Sequence, residues 1–343
     1  MNEYIAALVD EFYQLGVRHA VFSPGSRSTT MAMLFKEHEG FETYMNIDER
    51  SASFMALGIA KAHKEPTVLV CTSGSAVAHY LPAVLEAQYS GVPLIVLSAD
   101  RPHTLLHVGA PQTVDQHKIF GTAVNYYEEL AVPQESHYYT YPRQVARKAY
   151  MKAMDTKKGP VHINVPLFEP LVPELSRNHF EAGRSSFKVV KPNYSSVFGC
   201  DNRNNLTHFN TATDIADKPI SKEKTNNLLE KYDRILILAG PQIDIDEANS
   251  IRSFGEALQA PILADPLSNV RRRYNSADNQ SNKEGIGTNN VVISTYDALL
   301  AGQALWHELK PDCVIQFGQI VVSKRVQQMI ASWTDVEYIE VNP

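Results

Sequence analysis

Five short polar stretches in the first third of the chain have the residue types that bind or transform an anionic small molecule. They are Ser23–Ser28 (SPGSRS), Asp48–Arg50 (DER), Thr72–Ser75 (TSGS), Asp100–Pro102 (DRP) and Gly109–Gln112 (GAPQ). SPGSRS combines a turn, a flexible glycine, hydroxyls and one guanidinium. Backbone N–H groups at a following helix start, together with Arg27, would suit a carboxylate or phosphate. Arg101 with the amide of Gln112 could hold a second anionic group, or Arg101 could form a structural salt bridge over its turn. Glu49 sits where a β-leaning lead-in (Tyr44, Met45, Ile47) gives way to helical spacing at Ala52, Met55, Ala56, Ile59 and Ala60. A first-turn acid complements the helix dipole by a few tenths to about 1 kcal/mol, so its position alone does not make it chemical. Further on, Lys324 and Arg325 open a helix, where two cations oppose the dipole. They either face an anion or form a solvated pair.

The elements that carry these stretches alternate. Residues 3–15 put Ile5, Leu8, Val9, Phe12 and Leu15 on one helical face, closed by Gly16. Strands are expected at His19–Ser23, Pro66–Thr72, Pro93–Ala99 and Pro160–Pro166, and helices at 29–37, 76–89 and 141–154. This pattern predicts an α/β domain with a mostly parallel sheet, and the polar loops all fall at strand C-termini, the edge where open α/β sheets bind ligands. After a proline-punctuated and then Asn/Thr/Ser-rich stretch, a second α/β series begins. It comprises a helix at 222–232, a strand at 234–239, a helix at 246–259, a strand at 261–264, a helix at 295–300, a strand at 313–317, a helix at 323–331 and a strand at 336–341. The expected organisation is an N-terminal domain over 1–175, a linker and polar loop over 176–220, and a Rossmann-like domain over 221–343. A second polar insert is expected at 271–290. Both domains are expected to be doubly wound.

Composition narrows the function classes. Of 343 residues, 44% are hydrophobic and 20% charged, with a net charge of −6. That balance gives no support for nucleic-acid binding. Three distant cysteines (Cys71, Cys200 and Cys313) form neither a disulfide framework nor a zinc site. No metal site is expected among His103, His107 and His117, which lack acids at ligand spacing. The acidic N-terminus is unlike a signal peptide, and no apolar run reaches the ~18–20 residues of a membrane helix. A cytoplasmic protein without membrane insertion is the expectation. TSGS lacks the Gly-Lys of a P-loop, and Gly240-Pro241 is not followed by a dinucleotide fingerprint.

SPGSRS, NIDER, CTSGSA, SADRP and VGAPQ, in this order and at these separations, resemble the N-terminal domain of thiamine-diphosphate enzymes, above all the carboligating synthases of menaquinone biosynthesis. FGQIVVSKRV extends the likeness into the central domain. The resemblance implies a transferase whose Glu49 hydrogen-bonds the aminopyrimidine ring of thiamine diphosphate. By handing a proton to the ring nitrogen, Glu49 would favour the tautomer that activates the cofactor. This in turn implies a Glu49 largely buried and tuned by desolvation. Thr72, Ser73, Gly74 and Ser75 match the loop beside the pyrimidine. Ser26, Arg27, Arg101, Gln112, Lys324 and Arg325 match residues that contact substrate, here 2-oxoglutarate and isochorismate, whose two carboxylates fit several cations. A homodimer or homotetramer is implied, as is Mg²⁺ or manganese at the diphosphate. The Gly-Asp-Gly motif of the diphosphate-binding third domain has no counterpart in this sequence. That domain is therefore expected to be absent, and the 343-residue chain alone inactive. Two other readings stand beside this one: another thiamine-dependent carboligase or decarboxylase, such as an acetolactate synthase relative, or a non-catalytic anion-binding fragment.

Overall fold

The computed structural model describes residues 2–132, 139–155, 157–175, 179–184, 231–241, 245–272, 291–333 and 335–341. The expected helix at 222–232, save its last two residues, lies outside them, as do Cys200 and nearly all of both polar inserts. The chain divides into two compact units, Met1–Val190 and Lys191–Pro343.

In the first unit the order is α1 (Asn2–Gln14), β1 (His19–Phe22), α2 (Thr29–Glu37), β2 (Glu42–Met45), α3 (Glu49–His63), β3 (Thr67–Cys71), α4 (Leu81–Ser90), β4 (Leu94–Asp100), β5 (Tyr126–Glu129), α5 (Thr140–Ala153) and β6 (Pro160–Pro166). All strand pairs are parallel, in the order β2-β1-β3-β4-β6-β5. Strands β3, β4 and β6 are buried along their whole length, which is why they read as near-continuous apolar runs. One apolar core gathers Leu8, Phe12, Phe35 and Ala149 on one face of the sheet, and a second gathers Ala56, Val77, Val84 and Ala87 on the other.

Two expectations are corrected here. The single helix foreseen over 76–89 is a 3₁₀ segment, Ser75–Tyr80, followed by α4, which carries Pro82 in its first turn. A proline there has no N–H to give to the preceding turn, so the α-ladder starts anew. Strand β5 was not foreseen; it is a half-buried edge strand whose YYEE sequence has no alternation.

The second unit runs β7 (Ile235–Ala239), α6 (Ile245–Leu258), β8 (Ile262–Ala264), β9 (Val292–Ile293), α7 (Tyr296–Leu299), α8 (Ala304–Glu308), β10 (Cys313–Phe317), α9 (Lys324–Ala331) and β11 (Glu337–Val341). Its parallel sheet has the order β11-β10-β7-β8-β9. A Cβ on Gly240, just past β7, would lie 1.6 Å from the carbonyl oxygen of Gln319, so only glycine allows the loop after β10 to pass this close to the end of β7.

A buried ionic knot ties α1 to α5. Arg143, 1% exposed, donates from one nitrogen to Asp10 at 2.8 Å and Glu11 at 2.9 Å, and from its others to Phe180 O and Ala182 O. Arg184 also reaches Asp10, at 2.5 Å. Burial alone would raise the Asp10 pKa, but hydrogen bonds from Arg184, His38 and Arg143 hold it well below the carboxylate range. Without Arg143, Asp10 keeps Arg184 and Glu11 keeps Arg147, but both buried carboxylates and two backbone carbonyls lose their most deeply buried donor. Arg143→Met should therefore lower unfolding free energy by about 3–5 kcal/mol, and Arg184→Met, at a partly exposed position, by much less. Urea midpoints of the two variants check this, and equal losses would contradict it.

Candidate active site

Strand order reverses between β1 and β3: the chain leaves β1 for β2 on one side and returns to β3 on the other. The loops after these two strands therefore flank the crevice where open α/β sheets take ligands. They meet closely. A Cβ on Gly25 would lie 2.2 Å from Thr72 Cβ, so glycine is what lets the SPGSRS loop press onto the TSGS loop.

The guanidinium of Arg27, 9% exposed, is anchored by donation to Leu167 O at 3.0 Å and a looser contact with Glu169 at 3.5 Å. Burial, and then the nearby Arg27 charge, lower the pKa of Arg101. Two cations thus stand close together in a partly dehydrated place. Thr72 Oγ1, Ser73 Oγ, Arg27 Nε and Arg101 Nη1 are buried atoms without a hydrogen-bond partner among the described residues. Each such atom costs roughly 1–3 kcal/mol if left unpaired. Four at one edge describe a place shaped for a ligand with polar and anionic groups. Ser26 is exposed on the same loop, and Gln112, also exposed, donates from Nε2 to Ser73 O at 3.0 Å. Ser75 is exposed at the start of the 3₁₀ segment, and Gly74 is buried.

Glu49 is the first residue of α3, and Asp48 caps that helix by accepting from Ser51 N at 2.8 Å. Burial chiefly raises the Cys71 thiol and Tyr80 hydroxyl pKa values, and the nearby Glu49 charge adds to both. Glu49 therefore stands beside the end of β3. The expectation of a largely buried Glu49 is corrected, because in the single chain it is only half-buried. Its neighbourhood also exposes Met45 and Ile47 to 62% and 83%, so nothing in the described residues closes over this turn.

Lys324 and Arg325 are exposed at the start of α9 in the second unit. Arg325 donates to the Asp297 carboxylate at 2.5 Å and to Asp297 O at 2.9 Å, so it has a protein anion of its own.

Sequence reading missed a buried polar network behind the cations. Asn164, in β6, donates to Asp100 Oδ2 at 2.8 Å, and its oxygen accepts from Ser98 at 2.8 Å and from Gln116 at 2.9 Å. Ser98, having given its proton to Asn164, accepts from His162 Nε2–H at 2.7 Å. The signal was available: PVHINVP places His and Asn inside a strand otherwise apolar enough to be wholly buried.

The class follows from this edge and from comparison with known proteins. Residues 3–119 match the family model described as thiamine pyrophosphate enzyme, N-terminal TPP binding domain. Along its whole length the chain is similar to part of several 2-succinyl-5-enolpyruvyl-6-hydroxy-3-cyclohexene-1-carboxylate synthases. It is 47% identical to that of Lactococcus lactis subsp. lactis (strain IL1403), 45% to that of Desulfitobacterium hafniense (strain DSM 10664 / DCB-2) and 40% to that of Bacillus pumilus (strain SAFR-032). All of this chain is covered in each case, against 55%, 55% and 54% of the relatives, so it spans about half their length. No helix among the described residues is long and apolar enough to cross a membrane.

Burial pushes His162 down to about 3, and its Nδ1 has no partner among the described residues. Its folded pKa lies below the unfolded value of about 6.5, so the unfolded chain takes the proton first and stability falls as pH drops below that value. Between pH 7 and pH 5 this group should cost the parent about 2 kcal/mol that His162→Gln does not lose. Urea unfolding at both pH values measures the difference, and equal acid losses would show that His162 is charged in the fold.

Proposed function

We propose that this chain carries the pyrimidine-side half of a thiamine-diphosphate-dependent carboligase that decarboxylates 2-oxoglutarate and adds the resulting succinyl-semialdehyde carbanion to isochorismate. The product would be 2-succinyl-5-enolpyruvyl-6-hydroxy-3-cyclohexene-1-carboxylate. The observation that carries the reading is the set of unpaired buried atoms on Thr72, Ser73, Arg27 and Arg101, at the crevice beside Glu49.

Thiamine diphosphate supplies the carbanion chemistry when bound. What the chain's own residues do follows from their placement. Glu49 holds or hands over a proton at its carboxylate, beside the uncharged Cys71 and Tyr80 side chains. Thr72 and Ser73 would supply hydroxyls to a heteroaromatic ring. Arg27 and Arg101 have N–H groups free for carboxylates, with Ser26 and Gln112 at the rim. Lys324 is the second unit's candidate for substrate contact, and Arg325 would have to exchange Asp297 for substrate. The residues described do not fit the diphosphate's Mg²⁺: they hold no group of three or more His, Cys, Asp and Glu side chains placed for a metal. A small neutral acceptor, as in acetolactate synthase relatives, would leave the guanidinium pair unexplained.

Calorimetry with isochorismate tests the assignment. Each charged hydrogen bond is worth about 1.5–3 kcal/mol, so Arg27→Ala and Arg101→Ala should each weaken binding by about 10-fold or more. Glu49→Gln should leave that affinity within about threefold while removing turnover from any form that shows it. Parent-like affinity in both arginine variants would sink the reading.

A second copy of the chain is the proposed partner. The outward faces of α3 and α4, which pack together, expose Phe54, Met55, Leu81 and Leu85 to between 37% and 44%. Such a stripe beside a half-open Glu49 suits a dimer that shields the acid. Leu85→Glu should shift sedimentation from dimer to monomer, whereas a parent chain that is already monomeric at about 100 µM would refute the assembly.

A further inference from the structure

The Ser73–Gly74 peptide is held at both of its polar atoms. Gln112 Nε2–H donates to Ser73 O at 3.0 Å, and Gly74 N–H donates to Gln116 Oε1 at 2.9 Å. A peptide plane gripped at its carbonyl and its amide by two side chains four residues apart cannot rotate without breaking both bonds. The grip also holds strain. Gly74 lies at φ 88°, ψ −148°, a region that only glycine enters readily, and a Cβ there would meet Gln112 Cγ at 3.0 Å. Gln112 itself has φ 56°, uncommon for a residue with a side chain.

Gln116 reaches beyond the loop. Its side chain is 1% exposed, and Nε2 donates to Ala99 O at 3.2 Å as well as to Asn164 Oδ1. Asn164 donates to Asp100 Oδ2, and Asp100 Oδ1 accepts from Arg101 N at 2.7 Å. A continuous line of hydrogen bonds therefore joins the amide of Gly74 to the backbone of Arg101. Every polar atom of the Gln116 amide group is engaged in it, which is more than simple filling of the core requires.

We propose that Gln116 is a positioning residue that sets the Ser73–Gly74 peptide and couples it to Arg101, so that an anion held by Arg101 stiffens the loop facing the cofactor ring. The setting of the peptide stands on the hydrogen bonds alone. The coupling rests on the anion-site reading given under Proposed function.

Residue-resolved amide hydrogen exchange on the full chain separates the two parts. In Gln116→Met the Gly74 amide should exchange about 10-fold faster or more, with β3 and β4 amides within about threefold of the parent. Saturating isochorismate should slow Gly74 exchange in the parent by about threefold or more, but not in Gln116→Met, although that variant still binds it. Unchanged Gly74 exchange in Gln116→Met would overturn the positioning role. So would acceleration spread evenly over β3 and β4, which marks a merely structural residue. If isochorismate binds the parent without slowing Gly74, the coupling fails while the anion site stands. If it does not bind the parent at all, the anion site and the coupling fall together, and the ligand-free comparison still decides the positioning role.

Discussion

The reversal of strand order between β1 and β3 is the constraint on which the rest of the first unit depends. Parallel neighbours send their following loops in the same direction, and only at a reversal do two such loops diverge to leave a crevice. Here the loops are pressed back together at one point, where Gly25 has no Cβ to strike Thr72. That contact makes the crevice narrow at its floor and places a guanidinium-bearing turn against a hydroxyl-bearing one. Without the reversal, SPGSRS and TSGS would be two unrelated turns.

Electrostatics then make the place costly to leave empty. Burial and then the Arg27 charge disfavour the charge on Arg101, and Arg27 is itself buried. Proteins tolerate such pairs where an anion compensates them. Asp100, itself pushed upward mainly by burial, is turned toward Asn164 and the Arg101 backbone rather than the Arg101 guanidinium. The nearest internal carboxylate thus supports the backbone beneath the cation and leaves its outer nitrogens for something else. In the second unit the situation differs, because Asp297 takes the Arg325 guanidinium directly.

Much of this is legible in the amino-acid sequence, for identifiable reasons. Buried strands such as TVLVC and LIVLSAD announce themselves through continuous apolar runs, and α1 through its period. Their alternation makes the α/β class and the polar edge unavoidable. Gln116 was not legible because a single amide in a loop has no period; its role appears only when Gly74 and Asn164 are brought to it from 42 and 48 residues away. The 3₁₀ break was readable from Pro82 but was outweighed by the apolar spacing around it. The half-open state of Glu49 could not be read from local pattern, since exposure depends on what lies across the face and not on the residues beside it.

One consequence concerns the first turn of α3. Because Asp48 caps the helix and Glu49 is its first residue, the direction of the acid is set by the phase of the helix, at about 100° per residue. Adding or removing one residue between Glu49 and Ala52 would leave the buried face of α3, with Ala52, Ala56 and Ala60, in place and swing the carboxylate a quarter-turn or more away from the crevice. Insertions and deletions in this turn should therefore be far rarer among functional homologues than substitutions at Asn46 or Ile47. Chain length would be under tighter selection at this turn than side-chain identity.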